Sequence, residues 1–239
     1  MKVVILCGGQ GTRIRGVADD VPKPMLPIGG VPILQHIMAG YAAAGFNDFV
    51  LCLGYQGDVI KNFFSSGRPP INQWRVVMAD TGLNTMTGSR VKRVEEHIGN
   101  DSDFMLTYGD GVSNIDLHAL LAFHHKQKAI VTVSGVRPPA RFGEIEHDAN
   151  GRVTEFNEKP QATAGRISGG FFVCKRALLE RLDAGRDDEV LEAKTLQRLA
   201  REGQMAMYAH DGFWQCMDTY RDYQLLNTMH EEGKALWMI

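Results

Sequence analysis

The chain opens on an uninterrupted apolar run, Val3-Val4-Ile5-Leu6, that stops at a glycine cluster. Strands buried on both faces of a parallel sheet read this way, because neither face has to meet water. Residues 32 to 44 then have helical character and end at Gly45, a residue suited to the left-handed turn after a helix, before a second apolar run from Phe49 to Leu53. The alternation recurs with a helix near 57 to 65, a strand near 74 to 79, a helix near 88 to 97 and a strand from Phe104 to Tyr108 that ends at Gly109-Asp110-Gly111. This pattern predicts an α/β chain with a Rossmann-like, mostly parallel, doubly wound sheet.

A helix near 115 to 127 and a strand from Ile130 to Val136 follow, and then the texture changes. Short strand-like stretches at Glu144 to His147, Arg152 to Glu158 and Ile167 to Cys174 predict a small antiparallel addition covering one side of the site. Helices near 175 to 183, 188 to 202 and 219 to 232, with a strand near 204 to 209, complete the chain. No internal repeat or linker rich in Pro, Gly and Ser interrupts it, so residues 1 to 239 are expected to form a single domain.

Charge and composition narrow the function classes. A formal net charge of −2, from 26 basic and 28 acidic residues spread along the chain, supplies neither a basic face for nucleic acid nor a polybasic membrane anchor. The apolar runs are strand-length rather than membrane-length, and the N-terminus enters a strand without a signal-peptide core, so a cytoplasmic location is expected. Cys7, Cys52, Cys174 and Cys216 form no C-x-x-C pair, and the eight histidines show no H-E-x-x-H spacing, which argues against a disulfide framework and a zinc site.

The strongest motif is Leu6-Cys7-Gly8-Gly9-Gln10-Gly11-Thr12-Arg13, followed by Pro22-Lys23-Pro24-Met25. A glycine-rich turn directly after a strand lets backbone N–H groups approach phosphate oxygens, and Arg13 and Lys23 bring positive charge to them. Triphosphate binding is the natural reading; a tight loop with two surface cations is the plain alternative. The spacing fits neither a Walker A loop nor G-x-G-x-x-G. Asp110 follows a buried strand at its carboxyl end and reads either as a ligand for a hard cation or as part of an Asp-Gly turn. Asp218 reads as a second such ligand or as the N-cap of the last helix. Arg90 is either a nucleotide contact or a helix-surface cation, and Lys159, just before Pro160, has exposure as its plain alternative.

The combination G-G-x-G-T-R with P-K-P-M resembles the opening of the sugar nucleotidylyltransferases. Further stretches resemble the glucose-1-phosphate cytidylyltransferases within that superfamily: Asp80-Thr81-Gly82, Met86-Thr87-Gly88 with Arg90, Thr107 to Val112, Arg141-Phe142-Gly143, Glu158-Lys159-Pro160, Gly169 to Val173 and Gly212 to Thr219. They occur in family order, and the resemblance runs to the closing Glu232 to Trp237. It implies a nucleotide-diphospho-sugar transferase fold, CTP and a sugar 1-phosphate as substrates, Mg²⁺ as cofactor and a homo-oligomer. It further implies that the glycine loop with Lys23, Thr85, Arg90 and Gly109 binds nucleotide, that Asp110 and Asp218 hold the metal, and that Arg13, Lys23 and Lys159 serve catalysis. Gly143, Glu158, Lys159, Ser168 and Gly169 would line the sugar side. Two departures stand out. Ser168 occupies a position where the family has Asn, and the segment Ser65 to Ala79 is shorter than in familiar cytidylyltransferases. Another nucleotide (dTTP, UTP or GTP), another hexose or a heptose phosphate, or a non-catalytic nucleotide-sugar-binding protein on this fold are the alternatives.

Overall fold

The computed structural model describes residues 1–11, 14, 21–67, 70–138, 144–157, 165–183 and 185–238. Strand β1 is Val3–Leu6, followed by the small antiparallel pair β2 (Pro27–Ile28) and β3 (Val31–Pro32) and helix α1 (Ile33–Ala43). Next come β4 (Asp48–Leu53), α2 (Gly57–Phe64), β5 (Arg75–Asp80), α3 (Thr87–Arg93) and the single-turn α4 (Glu95–Ile98). Strand β6 (Asp103–Tyr108) runs into β7 (Gly111–Ser113), α5 (Leu117–Lys126) and β8 (Val131–Val136). Then follow β9 (Glu144–His147), β10 (Val153–Asn157), β11 (Ile167–Lys175), α6 (Leu196–Arg201), β12 (Met205–His210), β13 (Trp214–Cys216) and α7 (Tyr220–Glu231).

Seven strands form the central sheet in the order β12-β8-β11-β6-β1-β4-β5. Only β11 runs against its neighbours; the other pairings, β1 with β4 and β6, β4 with β5, and β12 with β8, are parallel. The alternation of β1 shows why the sheet is buried on both sides. Val3 and Ile5 face one apolar cluster with α1, and Val4 and Leu6 face another with Val91 and Val94 of the α3 region. All four are buried, and each such side chain contributes about 1.5–3 kcal/mol relative to exposure. From β1 the chain lays β4 and β5 on one side and then crosses to place β6 on the other. This reversal puts the carboxyl ends of β1 and β6 side by side, with Leu6 in register with Tyr108, at the kind of switch point where open α/β sheets bind ligands.

Four sequence expectations are corrected. Glu144–His147 and Val153–Asn157 do form a separate antiparallel pair, but Ile167–Lys175 joins the central sheet between β8 and β6. Its Gly170 to Cys174 stretch is buried throughout, and that continuous apolar character favours the sheet centre over a covering flap. The helix near 88 to 97 breaks at Val94 into α3 and α4. The stretch near 175 to 183 is a 3₁₀ turn, and the helix near 188 to 202 begins as a π-turn over Leu191–Thr195.

Candidate active site

The loop leaving β1 and the loop leaving β6 enclose a cavity of about 340 Å³, a size that suits a small-molecule ligand. Leu6, Cys7, Gly8, Gly9 and Gly11 line it from the first loop, Gly109 and Asp110 from the second, and Lys23, Thr85 and Arg90 close it. Among the described residues, the sequence-derived nucleotide residues are thereby brought together, apart from Gln10, which is exposed and does not line the cavity. Thr12, Arg13, Gly143, Glu158 and Lys159 lie outside the described residues.

Charge is concentrated at one end. Lys23 begins a 3₁₀ turn anchored by the buried Pro24 and Met25. Its Nζ donates to Asp110 Oδ2 at 2.6 Å and to Asp218 Oδ1 at 2.5 Å. Asp218 is carried there by an antiparallel ribbon: Cys216 pairs with Gly111, Gln215 with Val112, and the Met217 N–H donates to Asp110 O at 2.8 Å. Met217, fully buried, anchors the ribbon in the core. Burial works against the Lys23 ammonium, yet the Asp110 charge and the hydrogen bonds to both carboxylates outweigh it and hold the Lys23 pKa above that of a free lysine. The N-cap of α7 is Thr219, not Asp218: Thr219 Oγ accepts from the Asp222 N–H while the Asp222 carboxylate takes the Thr219 N–H. This removes capping as an account of Asp218.

Arg90 lines the cavity, and its burial decides against one of its two readings. It is only 4% exposed, which rules out a helix-surface cation. Its Nη1 donates to Leu53 O at 2.8 Å and Thr81 Oγ1 at 2.7 Å, and its Nη2 to Gly8 O at 3.1 Å and Leu83 O at 3.3 Å. The four terminal N–H groups are therefore committed to the loops, and a base reaching Arg90 would meet Nε–H or displace one of these bonds. Gly8 is explained by the same contact. A β-carbon there would lie 2.2 Å from Arg90 Nη1, so the loop's first glycine makes room for a guanidinium, in addition to any ligand. The Gly8 carbonyl accepts from Arg90 and from the Tyr55 N–H at 3.2 Å.

Cys7 lines the cavity, but burial, with Cys52 and the Asp110 charge adding to it, keeps its thiol pKa well above the ordinary value, so it acts as a small apolar wall residue. On the expected sugar side, Gly169 O accepts from Trp214 Nε1 at 2.8 Å, while Ser168 is exposed. Wall residues that the sequence reading assigned no role are Pro24, Met86, Thr87 and Tyr108. Tyr108 had a usable signal, its place between a buried strand and Gly109-Asp110, and Met86 and Thr87 had theirs in the Met86-Thr87-Gly88 stretch that resembles the family.

Comparison with known proteins identifies the family. The family model for nucleotidyl transferases matches residues 2–231. A glucose-1-phosphate cytidylyltransferase from Salmonella typhi is 40% identical over 256 residues, covering 99% of this chain and 98% of that protein. A probable glucose-1-phosphate cytidylyltransferase from Bacillus subtilis is 37% identical over 257 residues, covering all of both chains. The aligned length of 256 exceeds the 239 residues of this chain, so the Salmonella relative carries residues without a counterpart here. The crystal structure of HddC from Yersinia pseudotuberculosis shares the fold, with a TM-score of 0.73, 24% identity and coverage of 96% of this chain and 99% of that one.

Proposed function

This chain belongs to the nucleotidyl transferase family, and we propose that it transfers the cytidylyl group of CTP to α-D-glucose 1-phosphate, giving CDP-glucose and pyrophosphate. The observation that carries the transfer chemistry is the meeting of Lys23, Asp110 and Asp218 at one end of the glycine-walled cavity. The choice of CTP and glucose 1-phosphate is supported by the full-length relatives that bear that name.

In the proposed reaction an oxygen of the sugar phosphate forms a bond to the α-phosphorus of CTP. The bond from that phosphorus to the bridging oxygen breaks, and its electron pair leaves with pyrophosphate. The nucleophile is already anionic at neutral pH, so no general base is needed and the protein's work is alignment and charge stabilisation.

Asp110 and Asp218 would hold Mg²⁺. The fit is supported by two carboxylate oxygens converging on one cationic nitrogen at 2.6 and 2.5 Å, a hard-oxygen donor set. When bound, Mg²⁺ supplies charge neutralisation on the nucleotide phosphates. Lys23 would neutralise charge on the departing pyrophosphate, the role that the family resemblance also gives to Arg13. The resemblance gives Lys159 the role of aligning the attacking phosphate and assigns Gly143, Glu158, Ser168 and Gly169 to the hexose side. The reading places the enzyme in the cytoplasm as a homo-oligomer; among the described residues no helix is long and apolar enough to cross a membrane.

The test is the specificity constant, read by pyrophosphate release, for CTP, UTP, dTTP, ATP and GTP, each with glucose 1-phosphate and with a panel of other sugar 1-phosphates. The highest value is expected for CTP with glucose 1-phosphate; a higher value for another pair would overturn the substrate assignment while leaving the transfer chemistry.

A further inference from the structure

One wall of the cavity is held by a segment far away in sequence. Thr85, Met86, Thr87 and Arg90 form that wall at the start of α3. Two first-turn N–H groups of α3, and that of its N-cap Met86, are taken up by this segment. Those of Gly88 and Ser89 both donate to Glu189 O, at 2.8 and 3.3 Å, and that of Met86 donates to Asp187 O at 2.8 Å. In return the Leu191 N–H donates to Thr87 Oγ1 at 3.0 Å. Residues 187–191 therefore lie as a strap along the end of α3. The fit leaves no room for a side chain at Gly88, where a β-carbon would sit 2.7 Å from Glu189 Cγ and 2.8 Å from Glu189 O.

The strap runs directly into the π-turn Leu191–Thr195, a rare wide turn that recurs at functional sites. Glu192 sits in this turn, half-buried, with both carboxylate oxygens engaged. Oε1 accepts from the Tyr108 hydroxyl, and Oε2 accepts from Thr87 Oγ1 at 2.7 Å. Tyr108 belongs to the β6 side of the cavity and Thr87 to the α3 side. One carboxylate thus ties together two walls that no strand pairing joins, and Tyr108 is further fixed edge-on against Phe172 with ring centres 6.1 Å apart. Lys23 and Asp110 mark the phosphate end of the cavity, which leaves the wall of Thr85, Met86, Thr87, Tyr108 and the loop-bound Arg90 for the nucleoside.

We infer that Glu192 is a positioning residue that fixes the separation of these walls and thereby favours a pyrimidine nucleotide over a larger purine. The inference rests on the reading of this cavity as the nucleotide site. A base too wide for the slot would have to break the hydrogen bond to Tyr108 or to Thr87, and bonds to a charged carboxylate are the stronger kind.

The experiment compares wild type, Glu192→Ala, Glu192→Gln and Tyr108→Phe by steady-state kinetics with CTP and GTP, by calorimetric CTP binding, and by thermal melting. Glu192→Ala is expected to raise the KM and Kd for CTP about tenfold, the effect of one lost charge-assisted bond. The fall in kcat should be smaller, and the preference for CTP over GTP should narrow. Glu192→Gln, which keeps one acceptor oxygen, should restore part of the CTP affinity. Should the alanine variant fail to fold, Tyr108→Phe removes one of the two bonds and should show the same narrowing. Folded variants with wild-type KM and an unchanged CTP-to-GTP ratio would overturn the inference, as would a loss confined to kcat. A wild type inactive with CTP contradicts the proposed function instead, so the two failures are distinguishable.

Discussion

Lys23 Nζ lies 2.5 Å from Asp218 Oδ1, although the two residues are 195 positions apart in the chain. The Lys23 side chain is 10% exposed and that of Asp218 21%, so the pair is shielded from solvent without being sealed. With Asp110 on its other side, the ammonium stands between the two carboxylates proposed to hold a divalent cation. Lysine and metal would therefore compete for the same oxygens until phosphates arrive to draw the lysine away.

Lys23→Met separates the two roles. Metal binding without nucleotide, measured by calorimetry with Mn²⁺, should tighten because the competing ammonium is gone. Turnover should fall by about a hundredfold or more, as when one preorganised charge-stabilising donor is removed. Unchanged metal affinity would show that the lysine does not compete for these oxygens.

Asp222 supports the metal side. Its carboxylate accepts the Asp218 N–H at 3.0 Å, the Thr219 N–H at 2.8 Å, Thr219 Oγ1 at 2.9 Å and Gln215 Nε2 at 3.2 Å. Asp222→Ala should cost about 1 kcal/mol of stability through the lost capping box, and it should raise the metal concentration needed for half-maximal turnover. A lowered melting temperature with an unmoved metal titration would confine Asp222 to helix capping.

Gly8 and Arg90 form a close contact that a double-mutant cycle can read. Gly8→Ala would force its new methyl against the guanidinium, which is 2.2 Å from the ideal β-carbon position. The substitution should be strongly destabilising in wild type and much milder in an Arg90→Ala background, with a coupling of about 1–3 kcal/mol by denaturant unfolding. Additive effects would contradict the contact.

His36 gives the pH dependence. Burial, together with the nearby His230 charge, lowers its pKa below the ordinary 6.5 despite its bond to Ile28 O at 2.9 Å. A depressed folded pKa means that the unfolded chain takes up the proton first on acidification. The His36 contribution is therefore fully present above pH 6.5 and is lost as pH falls from 6.5 through the lower folded value. His36→Gln keeps an N–H donor without titrating, so its melting temperature should fall less than that of wild type between pH 7 and pH 5. Parallel curves would remove His36 from the acid response.

The sheet and the glycine loop were legible in the sequence because β1, β4 and β6 are short apolar runs ending at glycine or at Gly-Asp, and such endings mark the ligand side of a parallel sheet. Strand β11 was harder to place: its insertion between β8 and β6 is a long-range pairing, and periodicity carries no information about strand order. The burial of Arg90 was not legible, since its engagement by four carbonyl and hydroxyl oxygens depends on segments brought in from Gly8, Leu53, Thr81 and Leu83. Glu192 had no local signal. A glutamate in a polar helix reads as solvated surface, and only the π-turn and the strap direct it to Tyr108 and Thr87.

The most direct test of cytidylyl transfer is phosphorus NMR of the wild-type protein mixed with CTP, glucose 1-phosphate and Mg²⁺. The account predicts that the CTP and sugar phosphate resonances decay together while CDP-glucose and pyrophosphate appear in equal amounts. Unchanged spectra from a protein that binds CTP calorimetrically, or release of phosphate without a nucleotide sugar, would contradict it.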